Sequence, residues 1–189
     1  CWNGELDALK LTFARDLMKN NNIRLAKTTD IQNIVVLINT AYRSNRGWTH
    51  EHKMVAGQRI NCDQVMILLA QTNVKLFVLE NHDQIIGCIG LTEFDDSIEI
   101  GSFAIDPDQQ NSGYGKQLLD FAEFYIIDTY QKKVIRMSVL NVRTELIAYY
   151  QRRGYLLTEK IEAYPLDQNV GEPLIPLHLL ILEKMIRSI

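Results

Sequence analysis

Cysteine and proline are scarce in the 189-residue chain, with three of the first and four of the second. Cys1, Cys62 and Cys88 are odd in number and far apart. A disulfide framework is therefore excluded, and free thiols in a reducing, cytoplasmic setting are expected. No CxxC pair is present, and His50 and His52 have no further His or Cys at a ligand spacing, so no metal is expected. No uninterrupted apolar run approaches the roughly eighteen residues of a membrane-spanning helix. The first twenty residues carry neither a basic leader nor a continuous apolar stretch, so no secretory signal is expected there. Positive charge is also short: the formal net charge is -3, which removes the electrostatic attraction on which nucleic-acid binders rely.

What the chain does have is 47% hydrophobic residues in periodic patterns, enough for a proper core in one domain. Leu6, Leu9, Phe13 and Leu17 recur at helical spacing before "KNNN", which gives residues 1–22 as an N-terminal helical extension. The main domain then spans 23–189. "IRLAKTTD" reads as a short strand ending in a helix cap at Thr29 or Asp30, followed by a helix over "IQNIVVLINTAYR". A polar, glycine-punctuated segment from Ser44 to Cys62 leads to a second helix over "DQVMILLAQ".

From Lys75 the period changes to two, and "KLFVLE", "IIGCIGLTEF" and "IEIGSFAID" form an antiparallel meander joined by short turns. "KQLLDFAEFYIIDTY" puts Leu118, Ala122, Tyr125, Ile126 and Thr129 on one helical stripe. "VIRMSVLN" is a strand and "RTELIAYYQRR" a helix stopped by Gly154. "YLLTEKIEAY" and "LHLLILEKMI" are closing strands around the loop "PLDQNVGEPLIP". This order predicts an α/β (α+β) fold: a mixed, mostly antiparallel sheet of about seven strands with helices on both faces. The strands flanking the "KQLLDFAEFYIIDTY" helix should be parallel neighbours, because a crossover helix joins them.

Between the third meander strand and that helix lies "DPDQQNSGYGKQLL", two glycines amid small polar residues. Such a loop sits at the carboxyl end of a strand, where open sheets bind ligands and where helix amides lack internal partners. Gly113 and Gly115 let the backbone turn tightly and let a phosphate approach. A dinucleotide fingerprint fails at Leu118, and a P-loop fails at Gln110 and Gln117. The pattern that matches is Q/RxxGxG/A, on Gln110, Gly113 and Gly115. A plain helix start with turn glycines is the alternative.

With "IEIGSFAIDPDQQNSGYGKQLL", "SVLN" and "YYQRRGY" in this order, the sequence resembles the GNAT superfamily of acetyl-CoA-dependent N-acetyltransferases over about residues 23–186. The resemblance implies acetyl-CoA as cosubstrate and no metal. It implies direct transfer to a primary amine of a small-molecule or peptide acceptor, in a chain that can form a homodimer. An acyl-CoA sensor without turnover is the alternative on the same fold. Backbone groups of Phe103, Ala104 and Ile105 would hold the pantetheine arm, and amides of Gln110, Asn111, Ser112, Gly113, Tyr114, Gly115 and Lys116 the diphosphate. Gln110 stands where Arg is commoner.

Glu99 matches a general base of histone acetyltransferases in the superfamily, against a solvated strand-start carboxylate. Tyr150, four residues before Gly154, matches the tyrosine that meets the coenzyme's sulfur, with Tyr149 as rival. Asn141 would satisfy the pantetheine arm or cap the following helix. Trp48 and Glu51 fall where the superfamily places its acceptor pocket, or else on a surface loop. Gly101 marks either a bulge in its strand or a small residue beside a large neighbour. Glu51, Glu99 and Glu145 favour a cationic amine.

Overall fold

The computed structural model describes residues 23–48, 50–130 and 132–186, so the helix expected within residues 1–22 lies outside the described residues. The elements are β1 (Ile23–Leu25), α1 (Ile31–Arg43), β2 (Val55–Ala56), α2 (Cys62–Ala70), β3 (Val74–Asn81), β4 (Gln84–Glu93) and β5 (Ser97–Ile105). They continue as α3 (Tyr114–Thr129), β6 (Val134–Leu140), α4 (Thr144–Arg152), β7 (Leu156–Ala163), β8 (Glu172–Pro173) and β9 (His178–Met185). Seven strands form one sheet in the order β1-β3-β4-β5-β6-β9-β7, antiparallel throughout except for the parallel β5–β6 pair. The strand alternation sorts residues onto two cores. Phe77 and Leu79 of β3 face α3 and α4, whereas Leu76 and Val78 face α1 and α2.

Helix α1 carries Ile34, Ile38 and Ala41 on its buried face, as its spacing predicts. Asp30 is its N-cap residue, one of the two positions expected for the cap. Asp30 makes no side-chain cap; its carboxylate instead accepts from Lys27 N–H at 2.7 Å and pairs with Arg24. Helix α2 begins with a reciprocal box in which Asn61 Oδ1 accepts from Gln64 N–H at 2.9 Å and Gln64 Oε1 accepts from Asn61 N–H at 2.8 Å. In α3 Thr129 is exposed rather than inward, and Leu119 and Phe121 join the buried set.

Two features are absent from the sequence reading. Strand β9 inserts between β6 and β7, so the last strand of the chain is central and β7 is the edge. The two long polar segments are also not simple loops: β2 and β8 pair antiparallel, Val55 with Pro173 and Ala56 with Glu172. Gly171 makes this closeness possible, because its φ is +97° and a Cβ there would lie 2.5 Å from Ala56 O. Gly171→Ala is expected to destabilise the fold by about 1–3 kcal/mol, measured by denaturant unfolding. Among the described residues no helix is long and apolar enough to cross a membrane.

Candidate active site between two diverging strands

The parallel ladder between β5 and β6 runs only from Ser97–Val134 to Glu99–Arg136, although both strands continue. Past that point the walls of a gap are Ile100–Phe103 on one side and Met137–Leu140 on the other. Strand β5 is bulged there. Gly90 pairs with Gly101 and Cys88 with Ala104, so Ser102 and Phe103 together oppose Ile89. The bulge expected at Gly101 lies one residue later, where Ser102 takes φ +46°. A Cβ at Gly101 would meet nothing within 4 Å; the residue borders open cavity rather than a bulky neighbour.

Two cavities flank the bulge, one of about 260 Å³ and one of about 620 Å³. Both are lined by Tyr42, Phe103, Arg143, Leu146 and Tyr150. The smaller one continues along Ala104 and Ile105 to Gln110, Asn111, Gly113, Gly115 and Lys116. Gly113 is the N-cap of α3 in the left-handed region, φ +85°, with open space where a Cβ would be. Gln117 N–H bonds Gly113 O at 3.0 Å, so the amides of Tyr114, Gly115 and Lys116 precede the first helical hydrogen bond. An anion fits such a cradle through free N–H groups and the helix dipole. Gly113→Ala is expected to cost about 1 kcal/mol of left-handed strain and to weaken acetyl-CoA binding, read by calorimetry.

The larger cavity takes in Glu51, Arg59, Glu99, Ser138, Glu162, Tyr164, Asp167 and Gln168. Glu99 is half-buried, with Ser138 Oγ–H donating to it at 3.5 Å and Arg136 Nε 3.8 Å away. Burial holds its carboxyl above the usual carboxylate range, against the pull of Arg136; Arg136 also pairs with Glu162. Tyr150 is buried, and burial pushes its hydroxyl well above the ordinary tyrosine range. That hydroxyl makes no hydrogen bond among the described residues, although Tyr150 borders both cavities.

The sequence profile of the acetyltransferase (GNAT) domain family matches residues 72–156, which run from just before β3 through the loop ahead of α3 to the first residue of β7. Residues 72–156 are a GNAT acetyltransferase domain. Among curated protein sequences no relative is found. Solved structures show the same fold over most of the chain. The PaiA N-acetyltransferase of Thermoplasma acidophilum, in complex with coenzyme A, is 14% identical with a TM-score of 0.67, covering 87% of this chain and 98% of that one. The ribosomal-protein-S18-alanine N-acetyltransferase of Escherichia coli is 16% identical with a TM-score of 0.65, covering 88% and 94%. A GNAT family acetyltransferase of Elizabethkingia anophelis with acetyl-CoA bound is 19% identical with a TM-score of 0.58, covering 88% and 99%.

The structure distributes the expected site residues unevenly. Phe103, Ala104, Ile105 and most of the 110–116 loop line the smaller cavity, but several side chains there are engaged elsewhere. Gln110 Oε1 accepts from Trp48 N–H at 2.6 Å, and its Nε2 donates to Ile105 O at 3.4 Å; the side chain stitches two loops together. Lys116 Nζ reaches Asp120 at 2.8 Å. Trp48 lines the smaller cavity, against Tyr149 with ring centroids 5.9 Å apart, and not the larger one. Asn141 lines neither cavity. It does not cap α4; its Oδ1 accepts from His178 N–H at 3.2 Å and fixes the start of β9.

Glu51 does line the larger cavity and is buried, but Arg43 and Arg143 both pair with it, so its charge is already neutralised. Glu145 is exposed and lines neither cavity. Tyr149 borders only the smaller cavity, whereas Tyr150 borders both. Among the described residues no three His, Cys, Asp or Glu side chains gather as a metal site. His50 and His52 face each other, Nδ1 to Nδ1 at 2.8 Å.

Tyr42 was missed. Its hydroxyl donates to Phe103 O at 3.0 Å, at the bulge itself, and burial raises its pKa. In sequence it continues the 34–38 stripe of α1, which reads as core. Its hydroxyl was the only signal. Arg59, Arg143 and Tyr164 come from three segments, and no local pattern unites them.

Proposed function

We propose that the protein transfers the acetyl group of acetyl-CoA to a primary amine by direct attack, with no acyl-enzyme. The observation that carries this reading is Tyr150, a buried residue at the junction of two cavities whose hydroxyl makes no hydrogen bond among the described residues. One cavity leads to the α3 amide cradle and the other leads away from it. Acetyl-CoA, when bound, supplies the thioester carbon that the amine attacks. The amides at 114–116 hold its diphosphate, and the backbone of Phe103 to Ile105 aligns its arm. Two solved relatives of this fold hold coenzyme A or acetyl-CoA, which supports the same ligand here.

Glu99 takes the proton released as the amine attacks, directly or through water. The Tyr150 hydroxyl hydrogen-bonds the sulfur as the thiolate leaves. Two cysteines are candidates for an acyl-enzyme among the described residues, and neither suits it. Cys88 is buried, its thiol pushed up to about 12 by that burial, and Cys62 lines neither cavity.

The reading is tested by thiol release from acetyl-CoA across a diverse amine panel. Turnover is expected with at least one primary amine; binding of acetyl-CoA without turnover on any amine supports the sensor instead. A pH profile tests the base. Because the Glu99 pKa is raised and the carboxylate form is needed, kcat/KM falls as pH drops through a value above the ordinary carboxylate range. Glu99→Gln is expected to lower kcat/KM by about 10²-fold or more and to abolish that acidic limb. If the limb persists in Glu99→Gln, the base lies elsewhere.

A further inference from the structure

The larger cavity sorts its own charges almost completely. Glu51 is held by Arg43 and Arg143, and Glu99 and Glu162 share Arg136. Two charged lining residues have no ion-pair partner among the described residues: Asp167, exposed at the rim, and Arg59, half-buried inside. A guanidinium removed from bulk water normally has a carboxylate or another acceptor beside it. Among the described residues Arg59 instead packs against the ring of Tyr42, with its Cζ 5.6 Å from the centroid.

Its position is held firmly. Arg59 N–H donates to Asn39 Oδ1 at 2.7 Å, while Asn39 Nδ2 donates to Ile60 O at 2.8 Å and Val35 O at 2.9 Å. One buried helix thus pins the backbone on both sides of the cation. Tyr42, under the guanidinium, bonds the carbonyl of the bulged residue Phe103. A single tyrosine side chain therefore links the cation to the bulge, touching Arg59 with its ring and Phe103 O with its hydroxyl.

We infer that the acceptor is an amino carboxylate, a molecule carrying its amine and a carboxylate a few bonds apart, and that Arg59 binds the carboxylate. This rests on the transfer reading above for the amine end. A guanidinium pairs with a planar carboxylate through two parallel N–H···O bonds. A phosphate dianion suits the site less well, because Asp167 and the Glu99–Glu162 pair also face the cavity. A polycation is disfavoured by Arg59 itself and by Arg143, whose Cζ lies 5.4 Å from the same Tyr42 ring. The acidic residues that suggested a cationic acceptor are thus already paired, as Glu51 and Glu99 are, or outside the cavity, as Glu145 is.

The test compares free α-amino acids and short ω-amino acids with their own carboxamides and with diamines, by thiol release from acetyl-CoA. In the wild-type protein kcat/KM is expected to favour an acid over its amide by at least about tenfold. Arg59→Ala should reduce that ratio by about 10- to 100-fold, mainly through KM for the acid, and Arg59→Lys should restore part of it. Thermal unfolding of both variants checks that the fold is kept. A ratio unmoved by Arg59→Ala, or a wild-type preference for amides or diamines, overturns the inference. If no amine turns over, calorimetry with the same acids and coenzyme A present decides separately. Binding lost in Arg59→Ala upholds the carboxylate site while the transfer reading fails, and no binding to the wild-type protein overturns the site.

Discussion

Tyr150→Phe is expected to lower kcat by about 10²- to 10³-fold, with the dissociation constant for acetyl-CoA within a factor of about two of the wild-type value. The substitution removes one oxygen and leaves the ring, which belongs to the core beside Tyr155. It breaks no protein hydrogen bond among the described residues, so stability should change by less than about 1 kcal/mol. The loss therefore falls on the interaction made as sulfur departs. Burial keeps the hydroxyl protonated across the working pH range, so it serves as a constant donor and contributes no limb of its own to the profile. Single-turnover thiol release together with calorimetry separates the two constants. Equal loss in binding and turnover would assign Tyr150 to cofactor positioning, and an unchanged kcat would remove it from the chemistry. Tyr149→Phe is the control: Tyr149 sits against Trp48 on the cofactor side only.

The second large effect is on the fold. Glu51→Ala is expected to destabilise the protein by about 3–5 kcal/mol, because it takes the shared carboxylate from two largely buried guanidiniums. The side chains of Arg43, Arg143 and Glu51 are 9%, 10% and 6% exposed. Arg43 also donates to Val170 O at 2.6 Å and to Gly57 O at 3.2 Å, so the cluster joins α1 to the segments just after β2 and just before β8. Its loss should open the wall of the larger cavity before the rest of the sheet yields. Urea unfolding would show a lower midpoint, and the loss should be smaller in Glu51→Gln, which keeps an acceptor for each arginine. A loss below about 1 kcal/mol in Glu51→Ala would mean that solvent replaces the carboxylate freely, and the cluster would then be no more than a surface pair.

The core of the GNAT domain was legible because its signals are local. The step from β5 through the small polar loop into α3 is encoded by period-two apolar residues, an Asp-Pro turn, a left-handed Gly113 and a helical stripe, all within about thirty residues of sequence. The parallel β5–β6 neighbourhood followed from the crossover rule. Tyr150 could be selected over Tyr149 only through the resemblance, since both are aromatics on one short helix.

The rest depended on which distant segments meet. Trp48 and Glu51 are three residues apart, yet one lines the smaller cavity and the other is buried under two arginines. Asn141 sits at a strand end in either reading, but its partner is His178, on a strand whose place in the sheet no local pattern announces. The same is true of β2 and β8, two residues each and more than a hundred positions apart.

By itself, then, the sequence determined the order of the helices and of the seven strands of the main sheet, the amide cradle at 113–116 and the family of the domain. Periodicity and turn chemistry act between near neighbours and need no knowledge of the remaining chain. Tertiary structure alone decided that β9 enters between β6 and β7, that Glu51 is spent on Arg43 and Arg143, and that Arg59 faces a cavity without a counter-ion. Those outcomes come from packing and charge pairing between segments far apart in sequence, where the free energy belongs to the pair and is written in neither segment alone.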